Sequence, residues 1–341
     1  MSKYDIALLP GDGIGPELTE ATLKVLDAVQ QRFDIKLNMI HVDAGDKCLE
    51  KKGTALPQET VDTFKKTHVC LKGPVGETAA DVIVKLRIMF DLYANIRPIK
   101  TYPCAPALRP DIDMIFVREN TEDVYRGIEF EINETAICLR VISKKGSEKI
   151  AKKAFEVAKT RTRKQVVAIH KSNVMRVTCG LFAKTCREVA KQHPDIAYSE
   201  QYVDAAAMRL IREPQSFDVI LITNMFGDIL SDEAAQLIGG LGMAPGANVG
   251  DDYALFEPIH GSAPDIVGKR IANPCSMILS AKMMLDWLGE RYNDQECFRA
   301  AQAIEDAVRE TLRKGVTVPE FGGKATTLDM AKAMAKEILT K

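Results

Sequence analysis

The 341-residue chain has no extended basic run, and its 46 Lys and Arg are offset by 47 Asp and Glu to a formal net charge of −1. Nucleic acids and anionic membrane surfaces recruit proteins through excess positive charge, so neither is expected as a partner. No stretch approaches the roughly 18 apolar residues of a membrane span. The apolar run in the N-terminal "MSKYDIALLP" is shorter than the core of a secretory signal. The eight cysteines, at 48, 70, 104, 138, 179, 186, 275 and 297, include no C-x-x-C pair. They read as small buried hydrophobes in a reducing compartment, not as a disulfide framework, and the protein is expected to be cytoplasmic. Internal repeats and low-complexity linkers are also missing. The length is about twice that of a typical domain, so a second domain would require the chain to cross between the two more than once.

What is present is α/β patterning. Short apolar runs such as "YDIALLP", "KLNMIHVD", "HVCLKGP", "IDMIFVRE", "QVVAIHK" and "FDVILITN" alternate with amphipathic stretches over 15–32, 58–66, 147–160, 179–192 and 295–314. That alternation predicts helices layered on a sheet. The segment 126–142, "RGIEFEINETAICLRVI", alternates apolar and polar residues in two bursts. It reads as an antiparallel excursion, either an arm for contact with a second copy or an ordinary edge hairpin.

"LLPGDGIGPE" at 8–17 invites comparison with a dinucleotide fingerprint. The fingerprint requires G-x-G-x-x-G with an acid about 20 residues on. Here Gly15 comes one residue early, and Asp43, the acid ending the next strand, lies too far on. The sheet is therefore expected not to be a Rossmann fold, and the glycines to form a tight turn.

Chemistry-bearing residues lie elsewhere. In "TNMFGDILSDEAA" (223–235) a strand is expected to end at Asn224, and Asp228 and Asp232 stand one helical turn apart. Stacked carboxylates repel unless something offsets them. A hard divalent cation, Mg²⁺ or Mn²⁺, would do so, and a solvated acidic face with Glu233 is the plain alternative. Asp204 in "YVDAAAM" precedes an alanine-rich helix start, where it is either a helix cap or a third acidic ligand. Arg87 is followed by Arg97, which precedes Pro98 and so has an extended backbone, and by Arg118, which ends an apolar strand. Arginine forks there suit a polycarboxylate, although each alone reads as a surface ion-pair partner. Lys171 ends an apolar strand, where burial or a neighbouring cation would lower its pKa, and Tyr125 follows Arg118. Both are proton-transfer candidates, against an exposed lysine and a packed tyrosine.

Together, "GDGIGPE", "DLYANIRP", "RENTEDVY", "HKSNVMR", "YVDAAAM", "TNMFGDILSDEAA" and "FEPIHGSAPDIVGKRIANP" resemble, in order and spacing across essentially the whole chain, the β-decarboxylating isocitrate and isopropylmalate dehydrogenases. The resemblance implies an isopropylmalate-dehydrogenase-like fold of two α/β domains on one large twisted mixed sheet. One domain would join 1–101 to 241–341 and bind the cofactor, and the other would span 102–240, with the hairpin arm near 126–142. It implies a homodimer with shared active sites. Arg87, Arg97 and Arg118 would grip the malate carboxylates. Asp228 and Asp232 of one subunit, with Asp204 of the other, would hold Mg²⁺ or Mn²⁺, Asp204 also lying against substrate. Lys171 would assist removal of the hydroxyl proton, and Tyr125 would protonate the enol. NAD would lie along Glu257, His260, Gly261, Ser262, Ala263, Asp265, Ile266 and Asn273. Asp265 and Ile266 stand where NADP-preferring relatives carry lysine and tyrosine, so NAD is expected.

Isocitrate enzymes of the family place Ser-x-Asn six and four positions before the first arginine. "DVIVKLR" puts Asp81 and Ile83 there, beside Val84. Ile83 can pack an isopropyl group but cannot bond a carboxylate, and Asp81 would repel one if it faced the pocket. "GPVGETAADVIVKLR" is similar to archaeal-type isopropylmalate enzymes, whereas "RENTEDVY" is closer to the isocitrate and homoisocitrate branch. The expected substrate is 3-isopropylmalate, with homoisocitrate or isocitrate as alternatives. A noncatalytic regulatory subunit is the reading of another class, and the full complement of site residues argues against it.

Overall fold

The structure, a computed structural model, describes residues 2–340. Its strands are β1 (Ser2–Leu9), β2 (Ile35–His41), β3 (Val69–Lys72), β4 (Ala94–Lys100), β5 (Asp113–Glu119), β6 (Glu129–Ile132), β7 (Thr135–Cys138), β8 (Gln165–His170), β9 (Ala197–Tyr202), β10 (Val219–Ile222), β11 (Pro245–Val249) and β12 (Ala254–Pro258). Ten of them form one sheet in the order β2-β1-β3-β12-β11-β4-β5-β10-β8-β9. The flanks are parallel, and the middle, β12-β11-β4-β5, is antiparallel. This is the large mixed α/β sheet expected, and it is not a Rossmann sheet.

Both faces are covered by helices, which explains why β10 reads "VILI" without alternation. Ile220 and Ile222 pack into one core, while Val219 and Leu221 pack into another beneath the helices Lys144–Thr160 and Thr178–Ala190. Sequence patterning missed β11 and β12, which are short and sit in Gly/Pro-rich surroundings. It also missed the helices Cys275–Tyr292 and Thr327–Thr340. The first of these is apolar nearly all round, so it carries little helical periodicity. Six cysteines are buried as expected, but Cys104 and Cys138 are exposed.

The segment 126–142 contains a two-stranded ribbon of β6 and β7 apart from the main sheet. Asn133 and Glu134, both at positive φ, turn it as a tight hairpin requires. Two local expectations are corrected. The strand ends at Ile222, and Asn224 instead opens the helix Asn224–Leu237. Asp204 is not a helix cap: Tyr202 holds that position before the helix Val203–Arg212, and Asp204 lies in its first turn.

The glycine turn is sealed by the protein's own backbone. The Asp12 N–H donates to the Pro74 carbonyl (2.8 Å) and the Ile14 N–H to the Ser262 carbonyl (3.0 Å). The start of the helix Gly15–Arg32 is thereby closed to a pyrophosphate, the group a Rossmann turn would receive there. Gly13 has φ +55°, and a Cβ on it would lie 2.0 Å from the Ser262 oxygen.

We predict that Gly13→Ala costs at least about 2 kcal/mol more than Gly53→Ala, because both alanines bear left-handed strain but only the first meets a carbonyl. Gly53, at φ +71°, has nothing within 4 Å of its Cβ position. Equal denaturant midpoints for the two variants would refute the seal.

Candidate active site

At the antiparallel centre of the sheet a row of polar side chains crosses the strands. Asn248 on β11 stands opposite Asn95 on β4, and Asn95 opposite Arg118 on β5. Arg97 lies two residues from Asn95, hence on the same face. All three expected arginines are buried, so they are not surface ion-pair partners: Arg118 is 0%, Arg97 4% and Arg87 7% exposed.

The helix Asn224–Leu237 lays Asp228 and Asp232 over these cations. Arg97 donates to Asn95 (2.8 Å), Ser231 (2.8 Å), Asp232 (2.9 Å) and Asp228 (3.2 Å). Arg118 donates to the Asn224 side chain (2.6 Å) and to Asp228. Gly227 permits this approach, since a Cβ there would lie 2.6 Å from Arg118 Cγ. Burial raises the Asp228 carboxyl, but Arg118 and Arg97 outweigh it and hold the group below the ordinary carboxylate range. Burial dominates at Asp232, where only Arg97 is close, and that carboxyl is raised. Tyr125 donates its hydroxyl to Asp228 Oδ2, and burial lifts its pKa, so the phenol keeps its proton.

Between this cluster and β3 lies a cavity of about 310 Å³ whose polar lining includes Arg87, Arg97, Tyr125 and Asp228. An apolar wall is built from Val75, Ala79, Ile83 and Val84, and Arg87 follows the last two within one helical turn. A single π-turn, Ala80–Val84, carries Ile83 into that wall. Asp81 does not face the cavity. It is exposed and ion-paired with Lys85 (2.8 Å). Arg118 lies beneath Asp228 and is not among the lining residues.

A second cavity, about 470 Å³, shares His260 and Gly261 with the first and is further lined by Ile14, Ala263, Ile266 and Asn273. Asp265 is exposed on the turn Pro264–Ile266, and the Ser262 carbonyl accepts from the Ile14 N–H. Glu257, expected among the cofactor contacts, is buried and lines the first cavity.

Lys171 and Asp204 bond to each other at 2.5 Å, and the Asp204 side chain is 67% exposed. The neighbour of Lys171 is thus a carboxylate, not the cation considered from sequence. Neither residue lines either cavity. Among the described residues, no three His, Cys, Asp or Glu side chains gather closely enough to hold a metal ion.

The family model described as isocitrate/isopropylmalate dehydrogenase matches residues 5–338. The chain belongs to that family. It is 48% identical over 338 residues to the 3-isopropylmalate dehydrogenase of Methanothermobacter thermautotrophicus, covering 99% of each chain. It is 48% identical over 340 residues to the 3-isopropylmalate/3-methylmalate dehydrogenase of Methanocaldococcus jannaschii, covering 98% of this chain and 99% of that one. The crystal structure of isocitrate dehydrogenase from Methylococcus capsulatus superposes with a TM-score of 0.92 at 42% identity, covering 99% of this chain and 100% of that one.

Within this dehydrogenase, sequence reasoning overlooked the supports beneath the arginines. Lys72 donates to Glu257 (2.7 Å), which also accepts from Arg87 (3.0 Å) and Asn248 (2.8 Å). Asn248 in turn accepts from Asn95 (2.7 Å) and Asn120 (2.9 Å). The available signal was a lysine in the otherwise apolar "HVCLKGP", which a buried strand tolerates only when the charge is paired.

Burial raises the Glu257 carboxyl, but Lys72 and Arg87 outweigh it and bring the group down to about 2, from 4.5. Its stabilisation is therefore fully present above pH 4.5 and is lost as pH falls toward 2. Lys72→Met is expected to destabilise the fold by about 3–5 kcal/mol at pH 7. The deficit narrows below pH 4.5, where wild type progressively loses the Glu257 stabilisation that Lys72 supplies. Urea titrations at pH 7 and pH 3.5 measure this, and equal deficits at both would contradict it.

Proposed function

We propose that the protein catalyses the NAD⁺- and divalent-metal-dependent oxidative decarboxylation of a 3-substituted malate, 3-isopropylmalate foremost, as a cytoplasmic homodimer. The observation that carries this is one cavity lined both by Arg87, Arg97 and Tyr125 and by the apolar side chains of Val75, Ala79, Ile83 and Val84. A malate offers two carboxylates to the first group and a branched alkyl group to the second. The apolar group brings no donor for a third carboxylate, which disfavours isocitrate and homoisocitrate.

Arg87 retains a buried Nε–H without an acceptor and is the free donor for a substrate carboxylate. Arg97 contributes from the strand, and Arg118 acts by holding Asp228. Asp228 and Asp232 are hard oxygen donors one turn apart and 37% and 46% exposed at the side chain, which fits Mg²⁺ or Mn²⁺. The third donor would be the partner subunit's Asp204. When bound, such an ion polarises the 2-hydroxyl and steadies negative charge there. The partner subunit's Lys171 would assist removal of the hydroxyl proton, and Tyr125 would return a proton to carbon once carbon dioxide has left. The second cavity would take the adenosine of NAD⁺, whose nicotinamide accepts the hydride. Asp265, exposed on the turn between the lining residues Ala263 and Ile266, would accept from ribose hydroxyls and repel a 2′-phosphate.

Pairing of two copies is favoured by exposed Met208, Ile211 and Ile229 on the helices Val203–Arg212 and Asn224–Leu237, and by Phe130 and Ile132 on the hairpin. In this proposal the segments 1–101 and 241–341 form the cofactor domain and 102–240 the second domain.

A panel of 3-isopropylmalate, homoisocitrate and isocitrate with NAD⁺ and Mg²⁺ tests the substrate, and kcat/KM is expected to be highest for the first. An isocitrate preference would refute the apolar-wall argument. Undiminished turnover in chelator would refute the metal, and equal rates with NADP⁺ at low concentration would refute the cofactor. Tyr125→Phe is expected to lower kcat by about 10²–10⁴-fold with little change in substrate affinity.

A further inference from the structure

Tyr125 and Asp228 meet across a joint whose own fastening lies outside the cavity. Asp123, two residues before the tyrosine, is fully buried and adopts φ +68°, a strained value for a residue with a Cβ. Its carboxylate accepts from Arg140 Nε (2.7 Å) and Nη2 (2.9 Å), a bidentate fork. The same carboxylate accepts from the Val124 N–H (3.0 Å) and, across the joint, from the Met225 N–H (3.3 Å) in the first turn of the Asp228 helix. Arg140 also donates to Thr223 Oγ1 (2.8 Å) at the cap of that helix. Its guanidinium lies 4.6 Å from the Phe226 ring centroid. The bases of the hairpin are tied here as well, since Asp123 bridges Val141.

One side chain thus fixes three things: the turn that aims Tyr125, the helix start that aims Asp228, and the root of the hairpin. Resting on the function proposed above, we propose that Arg140 is a positioning residue. Through Asp123 it sets the Tyr125 hydroxyl against Asp228, and it contributes to turnover without touching substrate. A displacement near 1 Å between reacting groups costs about 10²-fold in rate, and Arg140 lies outside both cavities. Its removal should therefore act on kcat and spare KM.

The test uses the full chain with 3-isopropylmalate, NAD⁺ and Mg²⁺. Arg140→Ala is expected to lower kcat about 10–100-fold with KM within about threefold of wild type. Added guanidinium ion should recover part of the loss in this variant and do nothing for wild type. Should Arg140→Ala fail to fold, Asp123→Gly keeps a left-handed turn without the carboxylate. It should show the same loss of kcat with no response to guanidinium. Unchanged kcat in either folded variant would overturn the proposal, as would a loss in Arg140→Ala that guanidinium leaves untouched. If wild type does not turn over the substrate, the functional reading fails alone. The clamp is then judged by amide hydrogen exchange at 225–228, which should quicken at least tenfold in Arg140→Ala, and unchanged exchange would overturn it.

Discussion

A guanidinium sealed beneath a carboxylate is the constraint that organises this molecule. Arg118 has no exposed surface, and desolvation pulls its pKa down to about 10. An unpaired charge at that depth would be prohibitive, so its surroundings must supply acceptors. Asn224 and Asp228 do so from one helix, and the helix reaches them only because Gly227 has no side chain to stand in the way. Arg97 adds a second buried cation, and with it the need for Asn95 and Ser231. Much of the sequence around the centre of the sheet can be read as the answer to those two charges.

The arrangement makes the two neighbouring aspartates unlike each other. Asp228 faces both arginines and is held ionised, while Asp232 faces one and is raised. A residue pair that looks symmetric in "GDILSDE" is therefore split electrostatically by what lies underneath. The phenol of Tyr125 rests against Asp228, the carboxylate of the two whose charge the arginines favour more.

How much of this was legible beforehand depended on the kind of signal. Strong periodicity placed β1, β5, β8 and β10 and the helices 15–32 and 295–313. It failed for the short strands β11 and β12 and for the nearly all-apolar helix 275–292, where neither period is expressed. The arginines and aspartates stood out because charge beside apolar runs is conspicuous. Asn95 and Asn248 did not, and Glu257 was noticed only as a cofactor contact, since their support of the arginines comes from register across β4, β11 and β12, a property of pairing and not of local sequence. Asp81 and Ile83 illustrate the same limit. Their spacing was readable, but only the turn geometry sends one to solvent and the other into the wall. Lys171 and Asp204 pair with each other outside both cavities.

The hydrogen-bonded ladder runs unbroken from β2 at one edge to β9 at the other, passing directly under the cavity. The strands that carry Lys72, Glu257, Gly246 and Arg97 into the cavity, β3, β12, β11 and β4, are thus adjacent members of one continuous backbone mesh. Torsion between adjacent strands is a collective deformation of such a mesh, so a substitution far out along β2 or β9 has a mechanical route to the centre.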